Sequence, residues 1–314
     1  VGASIPLTIA YQTPYASVAV GSESGDFILD FGSTYSGIDL TAFASPGPTT
    51  SGCDPSYLYV VCTVDGFAFF SAPGAVELTT ESFASLGNDP RQAGIIGTDF
   101  LSEHVITLDY AASTVYAASS ACASSTLAAA GYAPLTTSGY YENDLALLYP
   151  ASDVESNPYP GSSVPNVPTV PVGVAGATAV AQLDTGFDDG VTPYSVNINQ
   201  AFYAAIVAAR PGALVRDAAL DETLSTCVSG VTESAEAYRL AGGTTFDFVE
   251  PSGGAARSYS QAVLFVKGDP SAASSCGGIG TWDVPAAQVG ASFYVGMGSL
   301  VFDPYGATVW VPRD

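Results

Sequence analysis

One pattern occurs twice in this chain, and it constrains the fold more than any other feature. Near the start, "VAVGSESGDFILDFGS" runs strand, glycine turn, strand, then Asp30-Phe31-Gly32; later, "VPVGVAGATAVAQLDTGF" (170–187) repeats that order up to Asp184-Thr185-Gly186. Each half then closes on a related segment, "GIIGTDFLSEHVITLDYAASTVY" (94–116) and "AQVGASFYVGMGSLVFDPYGATVW" (287–310). Aligning Gly97 with Gly290 pairs Phe100 with Phe293; with one residue inserted in the second copy, Asp109 pairs with Asp303, Thr114 with Thr308 and Tyr116 with Trp310. Two blocks in the same order, with a spacing close to half the chain, are the mark of a duplicated unit.

The rest of the chain reads as mostly β. Short Val-, Thr-, Tyr- and Phe-rich runs alternate with Gly, Pro, Ser and Asp turns, and "VVCTVDGFAFFSA" (60–72) predicts a hairpin turning at Asp65-Gly66. A helix is expected over "INQAFYAAIVAAR" (198–210), stopped by Pro211-Gly212. The stretch 149–168 holds five prolines and little apolar periodicity, as expected of a connection or surface loop. At 314 residues, two lobes are the natural division: 1–140 with the first Asp-x-Gly, 141–168 as connection, and 169–314 with the second.

Asp and Glu number 30 against 7 Lys and Arg, with Lys267 the only lysine, and charged residues total 12% against about 25% in an average soluble domain. The acids are ordinary in number; the bases are missing. As carboxylates neutralise in acid, few cations remain to repel one another, so such a chain resists acid unfolding. No basic patch for nucleic acid or an anionic membrane can be assembled, and no apolar run approaches a membrane span. The start at Val1 is expected of a processed form from which a leader has gone.

Five cysteines fit an extracellular setting. Pairing Cys53 with Cys62 and Cys227 with Cys276 leaves Cys122 as a buried or modified free thiol, although other pairings are open. A metal site is not expected, since there is no CxxC and His104 is the sole histidine. Asp30-Phe31-Gly32 also spells the metal-binding tripeptide of protein kinases. No Gly-rich loop with a following strand lysine precedes it, and no His-Arg-Asp occurs, so that reading fails.

An apolar strand ending in Asp-x-Gly, followed by an apolar-apolar-Gly segment, twice per chain, resembles the pepsin-like aspartic proteases. "AQLDTGF" is similar to that family's second active-site motif, "GIIGTDFL" to the apolar-Gly motif of the retroviral-type relatives, and the segment from Gln288 to Val311 to the pepsin-like C-terminal region. The resemblance spans about residues 17–116 and 170–311. It implies a bilobal, mostly β fold with two related barrel-like lobes and a central cleft, with Asp30 and Asp184 as the catalytic pair. The expected protein is a secreted, monomeric endopeptidase that works in acid on polypeptide substrates and needs no metal or cofactor.

The chemistry explains the pattern. One carboxylate takes a proton from water while a second, protonated carboxyl donates to the peptide carbonyl oxygen. Two carboxylates roughly 3 Å apart cannot both ionise, so the pair shares a proton. Gly32 and Gly186 let the backbone approach closely, and Ser33 is placed to hold Asp30 in plane. The resemblance implies that Thr185 reaches across to the other loop. Phe31 departs from the family by standing where a Thr is expected, and Phe187 by standing where a Ser or Thr usually follows. Gly37 falls near a Trp that usually supports the flap tyrosine, and no Tyr-x-Gly flap is evident. The hairpin around Asp65-Gly66 would serve as a lid, with Tyr57, Tyr59 or Phe67 over the cleft. The alternative is an inactive homologue that acts as a binding or inhibitor protein.

Overall fold

The computed structural model describes residues 2–55, 60–83, 89–137, 168–187, 190, 192–225, 232–268, 279 and 284–314. The Pro-rich connection, apart from Pro168, lies outside these residues, as do Tyr57, Tyr59, Cys227 and Cys276.

In the first half, strands Thr13–Val20 and Glu23–Leu29 form a hairpin. Phe27, Ile28 and Leu29 are all buried, because this end of the strand runs through the middle of a sheet with neighbours on both edges. On its far edge Glu23–Leu29 pairs in parallel with Gln92–Ile96, which pairs antiparallel with the short strand Gly37–Ile38. Gly37–Ile38 runs parallel to Gly74–Thr80, Gly74–Thr80 pairs with Val60–Ala68, and Val60–Ala68 returns to Thr13–Val20 and closes a barrel. Val18, Val20, Phe27, Leu29, Ile38, Val64, Phe67 and Leu78 fill its interior.

Asp65-Gly66 does not turn a hairpin. Val60–Ala68 is one continuous strand, and the ladder to its neighbour shifts register between Val64 and Phe67. Gly66 has φ +73°, and a Cβ there would lie 2.7 Å from the backbone of Gly21, whose N–H donates to the Gly66 carbonyl oxygen. The Asp-Gly pair is therefore a bulge that bends the strand onto the first hairpin. Val60–Ala68 instead forms hairpins with the strands on either side of it, Gly74–Thr80 and Thr50–Asp54, the latter carrying the Cys53–Cys62 disulfide.

The second half repeats these pairings. Hairpin Thr169–Val174/Ala177–Leu183 matches the first hairpin. Ala177–Leu183 runs parallel to Ala286–Val289, which pairs antiparallel with Ser195–Ile198, which in turn runs parallel to Val263–Lys267. This 10-stranded sheet curls without closing, from Leu214–Arg216 at one edge to Ala255–Tyr259 at the other. The expected helix forms over Gln200–Ala209, where the Asn199 side chain accepts from the Phe202 N–H as N-cap. Ile198 belongs to the preceding strand.

A shared sheet joins the halves. Its order is Tyr132–Thr136, Thr308–Pro312, Ser299–Asp303, Val105–Asp109, Thr114–Ala118 and Ala3–Ala10, so the C-terminal hairpin lies between strands of the first half. The two closing segments aligned in the sequence form equivalent hairpins here, each entered through a helical turn after Gly97 or Gly290. Those two glycines have nearly the same backbone, φ −91° and ψ −172° against φ −85° and ψ 174°. The architecture is mostly β, with two related halves joined by the shared sheet. Cys122 is an exposed free thiol rather than a buried one.

Candidate active site

Each Asp-x-Gly loop leaves the end of a buried strand and is fixed by the same backbone bond. The Asp30 N–H donates to the Ile96 carbonyl oxygen (2.9 Å) and the Asp184 N–H to that of Val289 (3.1 Å). Within each loop the glycine N–H donates to its own aspartate, Gly32 to Asp30 Oδ1 at 2.7 Å and Gly186 to Asp184 Oδ1 at 3.0 Å. These short Asx-type turns set the direction of the carboxyl groups.

The loops meet head to head. A Cβ on Gly32 would sit 2.2 Å from Cγ of Asp184, and one on Gly186 would sit 2.6 Å from Cγ of Asp30. Each glycine is thus the floor on which the opposite carboxyl rests, and no other residue fits at either position without moving a carboxyl. The two carboxyls lie close enough for each to act on the other's ionisation. Asp30 is held well above the usual carboxylate range by burial and then by the charge of Asp184, against the pull of the Gly32 and Gly186 N–H groups. Burial also raises Asp184, but the Gln288 amide, Asp30 as donor, and the N–H groups of Gly186 and Phe187 oppose that rise. Both directions favour a pair that holds one proton between its two carboxyls.

Thr185 links the lobes from one side only. Its buried hydroxyl donates to the Leu29 carbonyl oxygen (2.6 Å) and accepts from the Phe31 N–H (2.9 Å). Phe31 has no hydroxyl to return the contact. Its ring is buried and lies flat on Phe302 of the shared sheet, with centroids 3.7 Å apart and planes within 10°. The first loop is therefore braced by a ring stack from below instead of by a second hydroxyl.

Two expected roles do not appear. The Ser33 hydroxyl donates to the Tyr35 carbonyl oxygen at 2.7 Å instead of holding Asp30 in plane. Phe67 does not cover the site: it is 1% exposed, packed in the barrel against Phe27 and Phe100, because the strand bends inward at the Gly66 bulge. Tyr57 and Tyr59 lie outside the described residues.

The sequence reading missed four side chains that shape the site. The Gln288 amide donates to Asp184 Oδ2 at 2.5 Å, and its oxygen accepts from the Asn197 amide at 3.0 Å. Gln288 occupies the position that aligns with Ile95, so the signal was a lone polar residue in an otherwise apolar strand. On the first lobe, Asp99 accepts from the Ser36 N–H (2.9 Å) and hydroxyl (2.6 Å), while the Ser36 hydroxyl oxygen accepts from the Gly97 N–H (2.8 Å). This pins the Asp30 loop to the turn after Gly97. Burial lifts Asp99 to about 6, against the opposing pull of Ser36 and the Phe100 N–H. Among the described residues no group of acidic, His or Cys side chains is arranged to hold a metal ion.

No protein-family profile and no curated protein matches the sequence. Among solved structures, an aspartic proteinase from Irpex lacteus is similar over 100% of this chain and 97% of its own, at 13% identity and a TM-score of 0.48. Basic 7S globulin from soybean is similar over 98% and 95% respectively, at 10% identity and a TM-score of 0.44.

Proposed function

We propose that this chain is a secreted aspartic endopeptidase that hydrolyses peptide bonds with a water activated between Asp30 and Asp184. The reciprocal seating of each carboxyl on the opposite loop's glycine carries this reading. A peptide bond lying across the pair would place its carbonyl oxygen toward protonated Asp30 and the water toward Asp184. Asp184 takes a proton from the water as its oxygen attacks the carbonyl carbon, and Asp30 gives its proton to the carbonyl oxygen. In collapse of the tetrahedral species, the C–N bond breaks, the proton on Asp184 passes to the leaving amine, and one hydroxyl of the diol returns its proton to Asp30 as the new carboxyl forms. Neither step needs a metal or a covalent intermediate. An extended substrate would bind partly through main-chain hydrogen bonds. The disulfide in an exposed hairpin and the scarcity of bases support an extracellular, acidic setting.

A second reading, a non-catalytic binding protein, is favoured by the Ser33 hydroxyl turning away from Asp30. Cleavage of an unfolded protein from about pH 2 to 7, with and without a statine-type transition-state analogue, separates the two. The endopeptidase reading expects analogue-sensitive cleavage in acid, and a loss of about 100-fold or more in both Asp30→Asn and Asp184→Asn. Undiminished cleavage in either variant would sink the dyad mechanism; a well-folded but inert wild type would favour the binding reading.

A further inference from the structure

Asp184 lacks the hydroxyl neighbour that the pepsin-like pattern supplies, because Phe187 stands at that position. The place of that donor is taken from a different element. Gln288 is on the strand Ala286–Val289, in register with Asn197 on one side and Gln182 on the other. Its side chain runs between Asn197 and Asp184, with Oε1 facing the Asn197 amide and Nε2 facing Asp184 Oδ2. Asn197 is buried, and it presents an NH2 donor to Gln288. That donor dictates the orientation of the Gln288 amide, since the glutamine must turn its oxygen to Asn197 and hence its NH2 to the aspartate.

We propose that Gln288, oriented by Asn197, is a positioning residue that holds Asp184 as the ionised member of the pair and leaves Asp30 to carry the shared proton. This rests on the reading of the two aspartates as a working dyad. A primary amide suits the task better than a hydroxyl would. Turned this way it offers the carboxyl a donor and nothing else, so it favours the charged form and cannot accept from a protonated Asp184. Among the described residues Asp30 has no matching amide: its partners are the Gly32 and Gly186 N–H groups and Asp184 itself. The related position in the first lobe is Ile95, so the asymmetry is built into the duplicated scaffold at a single site.

Among the described residues, the other titratable groups facing Asp184 are Asp30 from the opposite loop and Tyr294 from the helix Ala291–Met297. The Tyr294 hydroxyl donates to the Val289 carbonyl oxygen (2.7 Å), and Tyr110 lies beyond it. Both phenols are buried and pushed above their ordinary range chiefly by burial, so neither titrates in acid.

The test is carbon NMR of aspartate side-chain carboxyls in the whole chain, with Asp30 and Asp184 assigned from their Asn variants and titrated from about pH 2 to 8. In the wild type, Asp184 should carry most of the lower of the two macroscopic steps. Gln288→Leu should raise that step by about 1 pH unit, with the acid limb of kcat/KM moving by the same amount. Asn197→Leu removes the donor that orients Gln288, so the amide no longer holds its NH2 on the aspartate and the lower step moves in the same direction. Gln288→Glu keeps a donor only while protonated, so it should match the wild type at the acid end and depart from it as pH rises. The separate titration of Asp99 verifies the fold in each variant; if Gln288→Leu does not fold, the other two variants carry the same test. A lower step that belongs to Asp30, or that stays put in the folded variants, overturns the proposal. If the step moves but the chain cleaves nothing, the positioning role stands and the endopeptidase reading falls. If the chain cleaves but the step ignores Gln288, the reverse holds.

Discussion

Position 31 is where the sequence departs most visibly from the pepsin-like pattern. The duplicated motif makes that departure legible, but its compensation is not, because Phe302 lies far along the chain and reaches Phe31 only through the shared sheet. The stack makes the odd residue a structural requirement. Phe31→Thr should lower the unfolding free energy by about 3 kcal/mol, since it removes a buried ring and leaves a cavity against Phe302. Denaturant unfolding checks this, and a variant as stable as the wild type would show that the stack is incidental. Thr185 bears the opposite burden. Thr185→Val strips a donor from the Leu29 carbonyl and an acceptor from the Phe31 N–H, both buried, and should cost about 2–4 kcal/mol. Thr185→Ser keeps the hydroxyl and should recover most of that loss.

Strands and turns were readable where local pattern and tertiary role agree. Alternating runs, the glycine turn of each first hairpin and the capped helix Gln200–Ala209 all follow from short-range chemistry. Asp65-Gly66 did not, because the same dipeptide serves a hairpin turn or a bulge. Only the position of Gly21, against which Gly66 packs, decides between them. Relocating the turn changes which hairpin is free. Thr50–Asp54 is the edge strand at the end of its sheet, paired on one side only and largely exposed, so its disulfide to Cys62 supplies much of what keeps it in place. A Cys53→Ser/Cys62→Ser variant loses about 2–3 kcal/mol of loop-closure restraint for a loop of this size. The loss should be local. Amides of Thr50–Asp54 should exchange within seconds to minutes, while those of Thr13–Val20 keep their protection. Equal loss in both strands would mean that the hairpin and the barrel unfold as one unit.

For the molecule as a whole, the shortage of bases pointed to acid tolerance, while the acids that produce it became visible only with burial. Asp30, Asp184, Asp99, Asp26 and Glu81 are all raised above their ordinary values, in each case chiefly by burial. A carboxyl whose pKa is raised on folding binds its proton more tightly in the native state, so folding strengthens as pH falls. For Asp99 the window runs from about 6 in the folded chain down to the ordinary 3.8. Across it the native state gains roughly 3 kcal/mol, nearly all of which is absent at pH 7. Neutralising part of a formal net charge of −23 adds to the same trend. Asp39 works in the opposite sense. Burial pushes it up, but the Thr41 hydroxyl, Arg91 and the N–H groups of Phe83 and Thr41 together hold it below its ordinary value. Its contribution is complete above 3.8 and is lost as pH falls through its lower folded value. The two effects bracket an optimum, so the melting temperature should climb by about 5 °C or more between pH 7.5 and 4.5 and turn down again below about pH 3. Asp99→Asn removes one of the rising terms, and in that variant the climb should be visibly shallower while the downturn stays in place. Calorimetric scans across the range decide the matter: a melting temperature that falls steadily from neutral pH into acid would contradict the burial of these carboxyls as protonated groups.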